Sequence, residues 1–216
     1  MHDHPAGLQT IHADAHLLVL NKPSGLLSVP GKGDDKQDCL SARAEAHYPG
    51  ALIVHRLDMS TSGLMLMARS AAMQTALSKL FEARQITKRY IAVVDGHLAF
   101  QADWQLIDMP IALDWPRRPL RIISLDGGKP SQTRWRVVSH DPQANTTRLE
   151  LEPITGRSHQ LRVHLKALGH AILGDALYAP PDVQGKSARL LLHARELQFK
   201  HPVNGEQMGF VNDAEF

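Results

Sequence analysis

The chain has 216 residues, with 24 Lys and Arg against 22 Asp and Glu, a net charge of +2. Hydrophobic residues make up 43%, enough for a sizeable core, and no run approaches the roughly 18 apolar residues of a membrane span. The single cysteine, Cys39, excludes an intrachain disulfide and suits a reducing cytoplasm. Met1-His2-Asp3-His4-Pro5 lacks the basic-then-apolar pattern of a signal peptide. The mild basicity permits an RNA partner without requiring one.

Residues 1–15 are expected to form a short N-terminal tail, and 16–216 a single domain. Leu17-Leu18-Val19-Leu20 reads as a strand running into the turn-rich Asn21-Lys22-Pro23-Ser24-Gly25. Asp38 is a candidate cap for a helix from about 39 to 48, ended by Pro49-Gly50. Two apolar runs, 51–54 and 64–68, read as buried strands. Between them lies His55-Arg56-Leu57-Asp58-Met59-Ser60-Thr61-Ser62-Gly63. Two readings of this loop stand side by side: a turn whose Asp and Ser/Thr bond their own backbone, or a carboxylate on a rigid mount.

Ser70 caps a predicted helix with Leu77, Leu80 and Phe81 as its apolar stripe. Residues 88–94 read as a strand with Tyr90, Ala92 and Val94 on one face. Residues 96–130 carry many breakers and read as an excursion with short strands, bearing Arg117, Arg118, Arg121 and Lys129. Strands at 132–140 and 146–151 form a hairpin. Thr155-Gly156-Arg157-Ser158-His159-Gln160 opens a helix to about Leu168, with Gly169 at its end. Arg157 in its first turn opposes the helix dipole, which points to an acidic partner or ligand. Further strands are expected at 189–193, 197–199 and 207–211. Many strands and few helices, without regular alternation, predict an α+β fold with a mostly antiparallel sheet. His159 and His164 do not match a zinc spacing, and nothing near Cys39 marks it as a reactive thiol.

Five separated stretches resemble the RluA family of RNA pseudouridine synthases. They are Asn21-Lys22-Pro23-Ser24-Gly25, the loop from His55 to Leu64, Lys88-Arg89-Tyr90-Ile91-Ala92, Thr155 to Arg162, and Leu191-Leu192-His193-Ala194. The resemblance implies a pseudouridine synthase fold with flanking helices and a central active-site cleft. It implies isomerisation of uridine in RNA without cofactor or metal. The N-terminal S4 RNA-binding domain of many relatives is not expected, since about 15 residues precede the first motif. Asn21 to Gly31 resembles the members that act on stem-loops of both 23S rRNA and the tRNA anticodon arm.

By resemblance Asp58 is the catalytic carboxylate, Tyr90 packs on the target base and helps move the C5 proton, and Arg157 keeps a guanidinium beside the carboxylate. The stacked target base must be flipped out to be reached. Arg56 is the candidate to brace the flipped nucleotide, His55 to hold the loop or touch phosphate, and Leu192 to wall the base. Arg117 and Arg118 are candidates for RNA phosphates. A bacterial, cytoplasmic monomer is expected. The rival readings are a synthase acting on one of these RNAs, a non-catalytic RNA-binding protein of the same fold, a hydrolase pairing Asp58 with His55, and a metal-dependent protein.

Overall fold

A computed structural model describes residues 8–216. In chain order the strands and helices are β1 (Gln9–Ala13), β2 (Leu17–Lys22), α1 (Leu40–His47), β3 (Leu52–Ile53), β4 (Ser62–Ala68), α2 (Ala71–Glu82), β5 (Thr87–Asp95) and β6 (Gln105–Asp108). There follow β7 (Ile111–Leu113), β8 (Arg121–Ile123), β9 (Gln132–Asp141), β10 (Thr146–Pro153), α3 (Gln160–Ala167), α4 (Pro181–Gln184), β11 (Leu192–Lys200) and β12 (Gln207–Val211). The chain divides into two compact units. Residues 8–88 and 193–215 form the first, and Arg89–Leu192 with Phe216 the second. The chain passes from one to the other inside β5 and again inside β11.

In the first unit the strand order is β1-β2-β4-β11, with β12 beyond β11. All neighbours are antiparallel except β4 and β11, which meet in parallel at Ser62↔His193 and Gly63↔Ala194. β3 pairs with the other end of β4, at Met67 and Ala68. Every residue of β4 is buried, as expected of a near-continuous apolar run. Leu64, Leu66 and Ala68 pack with Leu17 and Val19 of β2, Met73 and Leu77 of α2, and Phe199 of β11. The Ser70 hydroxyl caps α2 by accepting from Met73 N at 3.2 Å.

The structure departs from three local expectations. Residues 9–13, expected within the tail, form β1 and pair with β2, because Ile11 packs on the same core. The cap of α1 is Cys39, whose Sγ accepts from Ala42 N at 3.4 Å, while Asp38 forms a two-pronged ion pair with Arg43. The strands expected at 189–193 and 197–199 are one strand, β11, because Ala194, Arg195 and Glu196 keep pairing: Glu196 sits opposite Val211 and Ala194 opposite Gly63.

In the second unit β5-β10-β9-β6 form an antiparallel sheet, and β7-β8 a separate hairpin. The core joins Ala92, Val94, Trp135, Val137, Leu149 and Leu151 to Leu161 and Leu165 of α3. α3 ends as a Schellman motif: Gly169 N donates to Lys166 O at 2.9 Å and His170 N to Leu165 O at 3.0 Å, with Gly169 at φ +86°. The architecture is α+β with mostly antiparallel pairing. No helix among the described residues is long and apolar enough to cross a membrane.

Candidate active site

Asp58 stands in the eight residues between β3 and β4, in the first unit. Thr61 N donates to Asp58 O at 3.1 Å, so the segment contains a turn, as the plainer reading expects. The turn is then locked from outside by the end of β2 and the segment that follows it. Ser28 Oγ donates to Leu57 O at 2.7 Å and accepts from Leu57 N at 3.1 Å. The Lys22 ammonium and Gly25 N both donate to Met59 O, at 3.0 and 2.9 Å. Ser24 Oγ donates to Ser60 O at 2.7 Å. The residues flanking Asp58 on both sides are therefore held by five hydrogen bonds from one segment. Lys22 is fully buried and also donates to Pro23 O and Leu26 O, at 3.0 and 2.7 Å. An ammonium out of water must have its N–H groups occupied, and carbonyl oxygens of both segments take them. This cradle holds the Asp58 backbone in one place, with the side chain partly buried and Arg56 exposed.

His55 has a holding role. Its Nε2 accepts from Leu66 N at 2.9 Å, and its ring lies 4.6 Å from that of Phe81. Burial, reinforced by the Lys88 charge, pushes its pKa from 6.5 down to about 3. The lone pair of Nε2 is spent on the backbone, so this nitrogen serves neither as a base for Asp58 nor as a donor to phosphate. A testable consequence concerns stability. Below pH 6.5 the unfolded chain takes up a proton that folded His55 refuses until about pH 3. Its contribution is thus fully present above pH 6.5 and is lost as pH falls towards 3. Between pH 7 and 4.5 the unfolding free energy should drop by about 2–3 kcal/mol more than in His55→Gln, read from urea midpoints. Equal drops in the two proteins contradict this reading.

The exit from the loop is fixed as firmly. The Ser62 hydroxyl lies 2.9 Å from His193 Nδ1, and His193 Nε2 lies 2.9 Å from Asn212 O. A carbonyl only accepts, so Nε2 carries the proton and, in the neutral ring, the hydroxyl donates to Nδ1.

The remaining candidates belong to the second unit. Tyr90 lies on β5 opposite Leu151 of β10 and packs against the core that contains Ala92 and Val94. Leu192 is 3% exposed and is a member of that core, where apolar packing accounts for it. Arg157 precedes α3 instead of lying in its first turn. His159, at φ +59°, breaks the helical path, so α3 begins at Gln160. The dipole argument for Arg157 therefore lapses. Its position is set by Gln160, a buried residue to which sequence reasoning assigned no role. Gln160 Oε1 accepts from Arg157 N at 3.0 Å and from Thr155 Oγ1 at 2.7 Å. Its Nε2 donates to Gln132 O and Thr133 Oγ1, at 2.9 and 3.0 Å. One amide thus ties the Arg157 loop to β9. The exposed Arg157 guanidinium donates from Nε to Pro130 O at 3.3 Å. α3 is further anchored by Arg162, paired with Asp175 at 2.8 and 2.6 Å with both side chains buried. Arg117 is bound to Asp114 at 2.7 Å, and Arg118 lies over Trp115.

Residues 16–167 match the family model described as RNA pseudouridylate synthase. The chain belongs to this family. It is 47% identical over 206 residues to the "Dual-specificity RNA pseudouridine synthase RluA" of Yersinia pestis, covering 95% of this chain and 98% of that one. Identity to the protein of the same name from Escherichia coli K12 is 46%, over 97% of this chain and 94% of that one. Among solved structures, human RNA pseudouridylate synthase domain containing 1 is 29% identical with a TM-score of 0.81, covering 100% of this chain and 87% of that one. Human RNA pseudouridylate synthase domain containing 4 is 27% identical with a TM-score of 0.73, covering 95% of this chain and 88% of that one. The fold is that of the pseudouridine synthases, and the protein is an isomerase that converts uridine in RNA to pseudouridine.

Proposed function

We propose that this synthase modifies uridines in two kinds of RNA, stem-loops of 23S rRNA and of the tRNA anticodon arm, with Asp58 as its catalytic carboxylate. The observation that carries the role of Asp58 is the cradle, which immobilises Leu57, Met59 and Ser60 around it. A catalytic group gains most when its position is set before substrate arrives. The two substrates are supported by the "dual-specificity" relatives at 46–47% identity over nearly the whole chain.

The reaction breaks the bond from N1 to C1′ and joins C1′ to C5. C5 loses its proton and N1 gains one, so no redox partner is needed, and we propose that neither cofactor nor metal takes part. An ionised Asp58 is chemically suited to attack C6 of the base, to attack C1′, or to assist elimination to a glycal. Arg157 is proposed, on the family resemblance, to supply a charge-stabilising guanidinium to the reaction. Tyr90 is proposed to pack on the base and pass on the C5 proton. Arg56, exposed in the same loop, is the candidate brace for the flipped nucleotide. The enzyme is proposed to act as a cytoplasmic monomer, which the free, buried Cys39 suits.

Arg157→Ala should lower kcat by about 10²–10³-fold, the loss typical of a charge-stabilising donor. Unchanged single-turnover rates contradict its role. Dual specificity is tested by competition. One shared site requires each stem-loop to inhibit modification of the other competitively, with a Ki equal to its own KM. Absence of turnover on either RNA reduces the reading to a single-substrate synthase.

A further inference from the structure

The β7-β8 hairpin has a buried root and a bare tip. At the root, Ile111, Leu120 and Ile123 pack with Val163 and Tyr178, and Arg121 N donates to the Tyr178 hydroxyl at 2.9 Å. At the tip, Asp114-Trp115-Pro116-Arg117-Arg118-Pro119-Leu120 turns back with three backbone hydrogen bonds. Asp114 N donates to Leu120 O, Arg117 N to Asp114 O, and Leu120 N to Arg117 O, at 3.0–3.1 Å. The side chains are also set. The buried Asp114 carboxylate holds Arg117 at 2.7 Å, and the Arg118 guanidinium carbon lies 4.4 Å from the centroid of Trp115. Trp115 is nevertheless 64% exposed, whereas Trp135 is 9% exposed.

An indole left in water on a stiff, basic hairpin has the two properties of a single-strand binding surface, a flat π-face and adjacent cations. Two prolines and two pinned arginines keep the ordering cost of binding low. We propose that Trp115 is a stacking platform for an unpaired base of the substrate RNA, with the indole between that base and Arg118, and with Arg117 and Arg118 meeting the flanking phosphates. This rests on the RNA synthase reading and adds a residue that selects RNA by its unpaired nucleotides. RNA is favoured over an acidic peptide because both binding elements are then used. A peptide carboxylate engages the arginines and leaves the indole bare.

The test uses an anticodon stem-loop RNA with the wild type, Trp115→Ala, Trp115→Phe and Arg118→Ala. Filter binding gives Kd, tryptophan fluorescence reports stacking on the indole, steady-state pseudouridine formation gives KM and kcat, and thermal melting confirms folding. Trp115→Ala should raise Kd and KM about tenfold, the loss falling on KM and not on kcat, and should remove most of the RNA-induced quenching. Trp115→Phe should recover most of the affinity. Arg118→Ala should reduce the slope of log K against log salt by about one. A Trp115→Ala protein with wild-type Kd and KM overturns the proposal. If the wild type binds the RNA without isomerising uridine, the functional reading fails while Kd still decides on Trp115. If the wild type binds no RNA, both fail.

Discussion

Asp58→Asn is expected to abolish turnover, with a loss of about 10³-fold or more, or at least ~4 kcal/mol of transition-state stabilisation. The substitution keeps shape and removes charge and nucleophilicity. The cradle around it binds backbone atoms of Leu57, Met59 and Ser60, and none of those bonds uses the Asp58 side chain. Because Asn keeps the shape of the side chain, RNA affinity should stay within a few-fold of the wild type, and thermal melting checks that the variant is folded. Rapid-quench turnover and filter binding on the same preparation separate the two. Turnover within tenfold of the wild type contradicts a chemical role for the carboxylate.

Gly63→Ala is expected to be the most damaging small substitution in the first unit. A Cβ at this position meets Ala194 O at 2.3 Å and Ala194 N at 2.5 Å, both backbone atoms of the parallel partner strand. Gly63 also has φ +113°, a backbone region that disfavours a side chain. Neither strand has room to yield, because Ser62 and His193 are bonded at the adjacent pair. Strain and overpacking together should cost about 3–5 kcal/mol, lowering Tm by roughly 6–20 °C in a chain of this size. Gly25→Ala is the control. Gly25 has φ +87°, and a Cβ there would meet nothing within 4 Å, so only the backbone cost of about 1–2 kcal/mol applies. A Gly63→Ala protein as stable as Gly25→Ala contradicts the close approach of β4 and β11.

Much of the fold was legible because its signals are local. Ser70 announces α2, Gly169 ends α3, and the apolar run of β4 reads as a strand buried on both faces. What was not legible depends on partners distant in sequence. Ile11 needs the core of β2 and α2 before β1 makes sense. Lys22 follows Leu18 and Leu20 on one face of β2, and period two alone puts it inward. The acceptors that make such burial tolerable include Met59 O, 37 residues on. The same holds for Ser28, whose partner is Leu57, and for Gln160, whose bonds reach β9. Arg157 was misplaced because left-handed His159 is not a residue whose type signals a break. The Asp58 loop was recognisable as a motif, but the reason for its rigidity lies in the Asn21–Ser28 segment, which reads on its own as a mere turn.

The most direct measurement is tritium release from an anticodon stem-loop carrying C5-tritiated uridine, with nucleoside analysis of the product, for the wild type and Asp58→Asn. The wild type should release one tritium for each pseudouridine formed, with no free uracil, and Asp58→Asn should release none while still binding the RNA. Release by Asp58→Asn at a rate comparable to the wild type, or uracil as the wild-type product, contradicts a cradled Asp58 as the catalytic carboxylate of a uridine isomerase.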